Sequence, residues 1–332
     1  MLLWDPTPER YDKAEQKYLQ ALEICEQNCL SDPSYQNKRS LSDIYNRLGN
    51  LGKRRLSDEG NRQAVQWYQK KLIIAQQNYG DDPSYKNARD LAINYSELGD
   101  IAKRERTAVG NEQAEQQYQK ALPLKEQNYQ SKPCYVSRRD LAISYIAMGD
   151  LAERKQTRVG DREAESWYQK ARELQEENHK INPCYESRRA LAVLYKRLGD
   201  LVRKQQDKER DVKAAFWYRK GLEIQELNWK ITPCYESRKD LADMYSRLGD
   251  IERRKGTIEA DAEAEQFYLK MLVMNEQNYQ NNPCAQSEFQ MYIVYDRLES
   301  IACRKGTPEA EAEADMWRKK RRLLNCRPQR KN

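Results

Sequence analysis

One histidine, His179, serves the whole chain of 332 residues. The imidazole that completes most zinc and acid–base sites is therefore almost absent. Phenylalanine occurs only three times, and glycine (13) and proline (11) are sparse and fall mostly at fixed intervals. No apolar run approaches the ~18 residues of a membrane span. No G-x-x-x-x-G-K loop is present, so phosphate cradling has no motif to rest on. The opening MLLWDPTPERYDKAEQ lacks a basic region followed by an apolar core, so no signal peptide is expected. A charged content of 33% would suit a disordered chain, but 22 Tyr and 6 Trp at regular spacing argue for a packed one.

The net charge of +7 is concentrated at one end. Eight of the 59 basic residues lie in RKKRRLLNCRPQRKN, residues 318–332, which holds no acid. The first 317 residues carry 51 basic against 52 acidic groups and are close to neutral. This weakens a whole-chain attraction to nucleic acid. The eight cysteines are expected to be reduced thiols in the cytoplasm. Cys134, Cys184, Cys234 and Cys284 are 50 apart, too far in a stack for bridging or shared metal binding. Cys25 and Cys29 could offer two ligands, with nothing placed to complete the set, and no cofactor or metal is expected.

What is present is repetition. The period is 50 and does not slip. Pro33, Pro83, Pro133, Pro183, Pro233 and Pro283 share one register, and Tyr45, Tyr95, Tyr145, Tyr195, Tyr245 and Tyr295 another. Gly49, Gly99, Gly149, Gly199 and Gly249 form a third. Each unit reads as two amphipathic helices. The first is expected to begin at the shared proline, with Asp32, Asp82, Asn182, Thr232 and Asn282 as N-caps. The glycine then lies inside that helix, where it costs about 1 kcal/mol against alanine. Its recurrence points to a helix contact that a Cβ would block. The second helix carries small–aromatic–small spacing on one face, as in Ala114, Tyr118 and Ala121 or Ala214, Tyr218 and Gly221. Its start stays open between Thr-Pro pairs such as Thr307-Pro308 and a loop reading of Gly60, Gly110 and Gly160. Pro123 should kink one second helix. His179 takes the place of Tyr79, Tyr129, Trp229 and Tyr279 in register and reads as a packing residue.

The stretch Leu141–Leu174, LAISYIAMGDLAERKQTRVGDREAESWYQKAREL, resembles a tetratricopeptide (TPR) repeat. It is similar to a longer-period bacterial subgroup built on RRDLxISYxxLGD and a YYxKALEI-like helix. The resemblance implies an all-α, right-handed α-solenoid of stacked antiparallel helix pairs. It implies one array over residues 1–326, with seven second-type and six first-type helices, followed by a basic tail at 327–332. It also implies a non-catalytic adaptor, of the kind found in bacterial signalling or defence proteins, holding a protein or peptide in a concave groove.

The first helices end in a basic ladder: Arg54, Arg104, Arg154, Lys204, Arg254 and Arg304, widened by Lys53, Lys103, Arg203 and Arg253. The functional reading is a groove stripe for an acidic partner. The local reading is i,i+4 pairing, Asp100 with Arg104 and Asp250 with Arg254, at a helix end that favours cations. A second basic set, Lys38-Arg39, Arg138-Arg139, Arg188-Arg189 and Arg238-Lys239, is expected to pair with the acidic end of the preceding helix, near Glu176 and Glu177. The family's carboxylate clamp is not reproduced, since Asp stands where the clamp needs Asn. The alternative function is nucleic-acid binding through the ladder and tail. Self-association is a further expectation, because the opening helix, Thr7–Leu30, lacks a preceding partner and Met1–Asp5 with Trp4 could cover it. The closing unit departs from register: Arg318 replaces the aromatic, Arg321 the small residue and Glu299 the glycine, so a looser contact is expected there.

Overall fold

A computed structural model describes residues 8–55, 57–205 and 208–324, apart from the side chain of Pro8. The stretches Met1–Asp5 and 327–332, expected to cover the opening helix and to form a basic tail, lie outside them. Among the described residues there are thirteen α-helices and no strand. The first-type helices are α2 (Tyr35–Arg54), α4 (Tyr85–Arg104), α6 (Tyr135–Arg154), α8 (Tyr185–Lys204), α10 (Tyr235–Lys255) and α12 (Ala285–Lys305). The second-type helices are α1 (Pro8–Ser31), α3 (Asp58–Asp81), α5 (Ala108–Ser131), α7 (Arg158–Ile181), α9 (Arg210–Ile231), α11 (Ile258–Asn281) and α13 (Pro308–Arg322). The chain is thus an all-α helical-repeat protein built from stacked pairs. It divides into two compact units, Met1–Arg154 and Lys155–Asn332. No helix among the described residues is long and apolar enough to cross a membrane.

The first-type helices begin two residues later than the proline suggested. Pro33 and its equivalents sit in three-residue turns. The residue before each proline closes the previous helix instead of opening the next: the Asp82 amide bonds the Asn78 carbonyl at 3.0 Å, and Asp82 is extended at φ −146°. Proline forces this, because its ring pushes the preceding residue out of the helical region. The true N-caps are Ser34, Ser84, Cys184, Cys234 and Cys284. A residue three positions on fastens the turn: Asn87 Nδ2 reaches the Asp82 carbonyl at 2.9 Å, and Ser187 Oγ reaches that of Asn182 at 2.7 Å. At the second-type starts the threonines win. Thr107 and Thr157 accept the amides of Gly110 and Gly160 at 2.9 and 3.0 Å, so these glycines lie in the first helical turn. α5 runs unbroken through Pro123.

The glycine and tyrosine registers interlock. A Cβ on Gly99 would stand 2.6 Å from Tyr118, and one on Gly249 2.6 Å from Tyr268. Tyr68, Tyr118, Tyr218 and Tyr268 are among the largest fully buried side chains. Their hydroxyls do not go unpaired, which burial would make costly. Tyr118 donates to Asp100 at 2.5 Å, Tyr218 to Asp200 at 2.6 Å, Tyr268 to Asp250 at 2.8 Å and Tyr68 to Asn50 at 3.1 Å. The other tyrosine register packs on tryptophan: Tyr45 on Trp67 at 5.8 Å, Tyr195 on Trp217 and Tyr295 on Trp317, both at 5.7 Å. In the closing pair the glycine–tyrosine lock becomes a charge lock. Arg318 and Arg321 reach Glu299 at 2.8 and 2.9 Å, filling a contact the sequence expected to be looser.

Candidate partner-binding face

Successive first-type helices meet through charged side chains one period apart. In the first unit, Arg89 reaches Asp140 at 2.5 Å, Lys103 reaches Asp150 at 3.4 Å, and Lys53 pairs with Glu97. In the second, Arg189 pairs with Asp240 and Lys196 with Asp243, both at 2.5 Å, Arg247 with Asp200 at 3.0 Å, and Arg297 with Asp250 at 2.8 Å. Asp140 holds the Arg89 guanidinium above its ordinary range, although burial works the other way.

The basic ladder lies on the same side and is put to use within the stack. Arg104 donates to the Lys53 carbonyl at 2.9 Å, and Arg154 to the Lys103 carbonyl at 2.6 Å and to Asn111 at 2.9 Å. Arg304 donates to the Arg253 carbonyl at 3.1 Å and pairs with Asp261 at 3.2 Å. These carbonyls belong to the last turn of the preceding first-type helix, which has no intrahelical donor for them. Arg254 pairs with Asp211 at 3.0 Å, and Arg253 donates to Ser300 at 3.3 Å. The Arg54 carbonyl receives the Tyr11 hydroxyl at 3.5 Å. Arg54 and Lys204 are exposed at their helix ends, and Arg203 is half-buried. The local i,i+4 reading does not describe these contacts: Asp100 takes Tyr118, Asp250 takes Tyr268 and Arg297, while Arg104 and Arg254 reach elsewhere. Arg104, Arg154, Arg254 and Arg304 remain exposed while they brace, and a guanidinium has five donors.

The second basic set, unlike the ladder, pairs forwards. Arg188 donates to Asn228 at 2.7 Å, Arg238 to Asn278 at 2.8 Å, and Lys38 meets Asp81 at 3.7 Å, each on the following second-type helix. The expected partners on the preceding helix lose because the arginines lie in the first turn, beside the end of the next second-type helix.

One feature of this side escaped the sequence reading. Register position 43 holds Ile93, Ile143, Val193 and Ile293, with Asp43 and Asp243 at the remaining places. Ile143 is 49% exposed, and Ile93, Val193 and Ile293 are half-buried. These aliphatics sit on first-type helices with charges around them. Four aliphatics in one register of the 50-residue repeat were the available signal, masked by the stronger tyrosine and glycine registers.

Among the described residues no group of three His, Cys, Asp or Glu could hold a metal ion. The seven described cysteines are free thiols. His179 is half-buried, and burial together with the Arg188 charge lowers its pKa.

No protein-family model matches the sequence, and no curated protein matches it. Solved structures do. The hypoxic regulator of sterol synthesis Nro1, described as a nuclear import adaptor, superposes with a TM-score of 0.59 at 10% identity, covering 94% of this chain and 97% of that one. A second crystal form of the S. pombe protein gives 0.58 at 9% identity, covering 86% and 94%. The yeast Tom70 structure covers 96% of this chain and 62% of its own, at 16% identity and a TM-score of only 0.35. The Nro1 likeness places the chain among helical-repeat folds and goes no further than the fold.

Proposed function

We propose that this protein is a TPR-like, long-period scaffold that holds another protein against its first-type helices. The observation that carries the reading is Ile143, 49% exposed on first-type helix α6 between helices joined by charged pairs. An exposed aliphatic inside a polar frame is what a partner's apolar anchors need. Within each unit the exposed ladder, Arg54, Arg104 and Arg154 with Lys103 in the first and Lys204, Arg254 and Arg304 with Arg203 and Arg253 in the second, offers a basic rim that an acidic partner segment would meet. The adaptor role in the description of Nro1 supports the same class of function. The protein acts without catalysis, in the cytoplasm, where its thiols stay reduced.

The test places the photo-crosslinking residue p-benzoylphenylalanine at Ile143 and, as control, at Ile73, which is 56% exposed on second-type helix α3. In the native cell, position 143 should yield a discrete protein adduct that position 73 does not. The same adducts from both positions, or none from 143, would remove the proposal.

A further inference from the structure

Helices α2 and α4 leave between them a cleft of about 400 Å3, floored by α3. Its floor differs from the later repeats at Ala75 and at Lys71, where they carry Ala121, Ala171, Gly221 and Met271. The register position of Ala75 is occupied in later repeats by Lys125, Gln175, Gln225 and Asn275, all long and polar. Lys125 shows what such a side chain does: its Nζ spans to Ser96 Oγ and Ser144 Oγ, each at 2.8 Å, tying two first-type helices together. Ala75 reaches neither helix, and the space remains.

The cleft wall carries charges that do not close on one another. Arg39 and Asp43 come from α2, Lys71 from α3 and Asp90 from α4. No ion pair joins any two of them. The other charged wall residues are engaged: Arg89 by Asp140, Glu97 by Lys53, and Lys86 over the Tyr35 ring at 5.1 Å. Lys71 is only 9% exposed, and its Nζ has one hydrogen-bond partner, Asn46 Oδ1 at 3.1 Å. An ammonium carries three donors. Burial lowers the Lys71 pKa, as expected of an amine short of partners.

We propose that this cleft binds a small zwitterion of the α-amino-acid class, its carboxylate taken by Lys71 and Arg39 and its ammonium by Asp43 and Asp90. A ligand with negative charge alone would face two unpaired carboxylates. One with positive charge alone would face a buried amine. An apolar one would strip water from the exposed Arg39, Asp43 and Asp90 and leave the buried Lys71 amine short of partners. A ligand with both charges satisfies both walls at once, and the volume lies within the usual range of small-molecule sites. This inference is tested apart from the partner-binding reading, since Ile143 does not line the cleft, although Ile93 and Asp43 of the same register do.

The test is calorimetric titration of the full chain with each standard amino acid, up to about 10 mM, which reaches weak small-ligand affinities. At least one should bind with one-to-one stoichiometry. Its decarboxylated and its N-acetylated forms should each bind at least about tenfold more weakly. Ala75→Gln, which inserts the side chain that Gln175 and Gln225 already carry, should abolish binding while helix content is unchanged. Asp43→Asn, at an exposed wall position, should weaken it about tenfold with the fold intact. No heat with any amino acid, equal binding of the one-charge derivatives, or full binding by a folded Ala75→Gln protein would each overturn the proposal.

Discussion

A Cβ on Gly199 would stand 2.5 Å from Cε1 of Tyr218. The ring cannot retreat, because it is fully buried and its hydroxyl is held by Asp200 at 2.6 Å. Gly199→Ala should therefore lower stability by about 1–3 kcal/mol from overpacking, even after the gain of up to ~1 kcal/mol in helix propensity. Gly80, in α3, has nothing within 4 Å of its would-be Cβ. Gly80→Ala should raise stability by about 0.5–1 kcal/mol. Urea midpoints of the two variants should move in opposite directions, and a shift of the same sign in both would refute the lock.

The buried tyrosines predict a one-sided response to alkali. Burial, with help from Glu26, pushes the Tyr45 phenol up to about 12, and burial with Glu126 does the same for Tyr145. Tyr118 and Tyr218 are pushed higher still, by burial first and then by Asp100 and Asp200. The folded chain therefore keeps phenolic protons that the unfolded chain releases near pH ~10. Stability is level below that pH and falls as pH rises beyond it. Phenolate absorbance should appear together with loss of helical circular dichroism. Complete ionisation at pH ~10 with the helices intact would contradict the packing.

How far the sequence could be read depended on whether a residue's partner lay inside its own helix pair. Gly199 and Tyr218 belong to one pair, and their contact could be anticipated because a costly interior glycine needs a reason. Arg104 could not be read this way. Its partner is the Lys53 carbonyl, and a backbone group leaves no mark in the sequence. Asp200 carried a double role, as acceptor for Tyr218 and as partner of Arg247, which the i,i+4 spacing hid. Pro83 misled for a definite reason: it suits a first helical turn and a turn before the helix equally well. The aliphatic row at Ile143 and the void above Ala75 need register comparison together with the stack that sets their neighbours.

Cys134 should be the fastest described thiol at neutral pH. It stands at the start of α6, and its pKa is lowered to about 7. Burial opposes this, but the Ser137 amide and hydroxyl, the Val136 amide and the Tyr85 hydroxyl favour the thiolate. The Tyr85 oxygen lies 3.9 Å from its sulfur. Since the thiolate is the nucleophile, iodoacetamide labelling followed by peptide mass spectrometry should give a half-maximal rate at Cys134 near pH ~7, against ~8.5 for an ordinary cysteine. Tyr85→Phe should move that midpoint upward. Identical pH profiles at Cys134 and the exposed Cys303 would rule the cap effect out.

Arg106 and Gln156 adopt the left-handed backbone at φ 56° and 51°. The same turn in later repeats holds Gly256 and Gly306, at φ 73° and 66°. A Cβ in that region costs roughly 1–2 kcal/mol, and glycine returns part of the gain through its freer unfolded chain. Arg106→Gly and Gln156→Gly should each stabilise by about 0.5–1 kcal/mol. Arg106→Ala, which keeps the Cβ, should leave the urea midpoint nearly unchanged. Stabilisation by alanine equal to that by glycine would place the effect in the side chain and not the backbone.

Lys125 gives the opposite pH response to the tyrosines. It is 5% exposed, its partners are two hydroxyls, and burial lowers its pKa to about 8, with Asp140 and Asp100 opposing the shift. Its ordinary value is 10.5, so between these two values the unfolded chain binds the proton that the folded chain has given up. Stability from this group is therefore lowest at and below pH ~8 and rises towards ~10. The deficit at neutral pH is on the order of 3 kcal/mol, since each pKa unit corresponds to about 1.4 kcal/mol. Lys125→Gln installs the residue that Gln175 and Gln225 show at the same register. It should raise the unfolding midpoint at pH 7 and erase the rise between pH 8 and 10. The hydroxyls of Ser96 and Ser144 can still be met by an uncharged amide, so the exchange removes a desolvation cost without orphaning its partners. A loss of stability at pH 7 in that variant would mean that the bonds of the charged amine to Ser96 and Ser144 outweigh its desolvation cost.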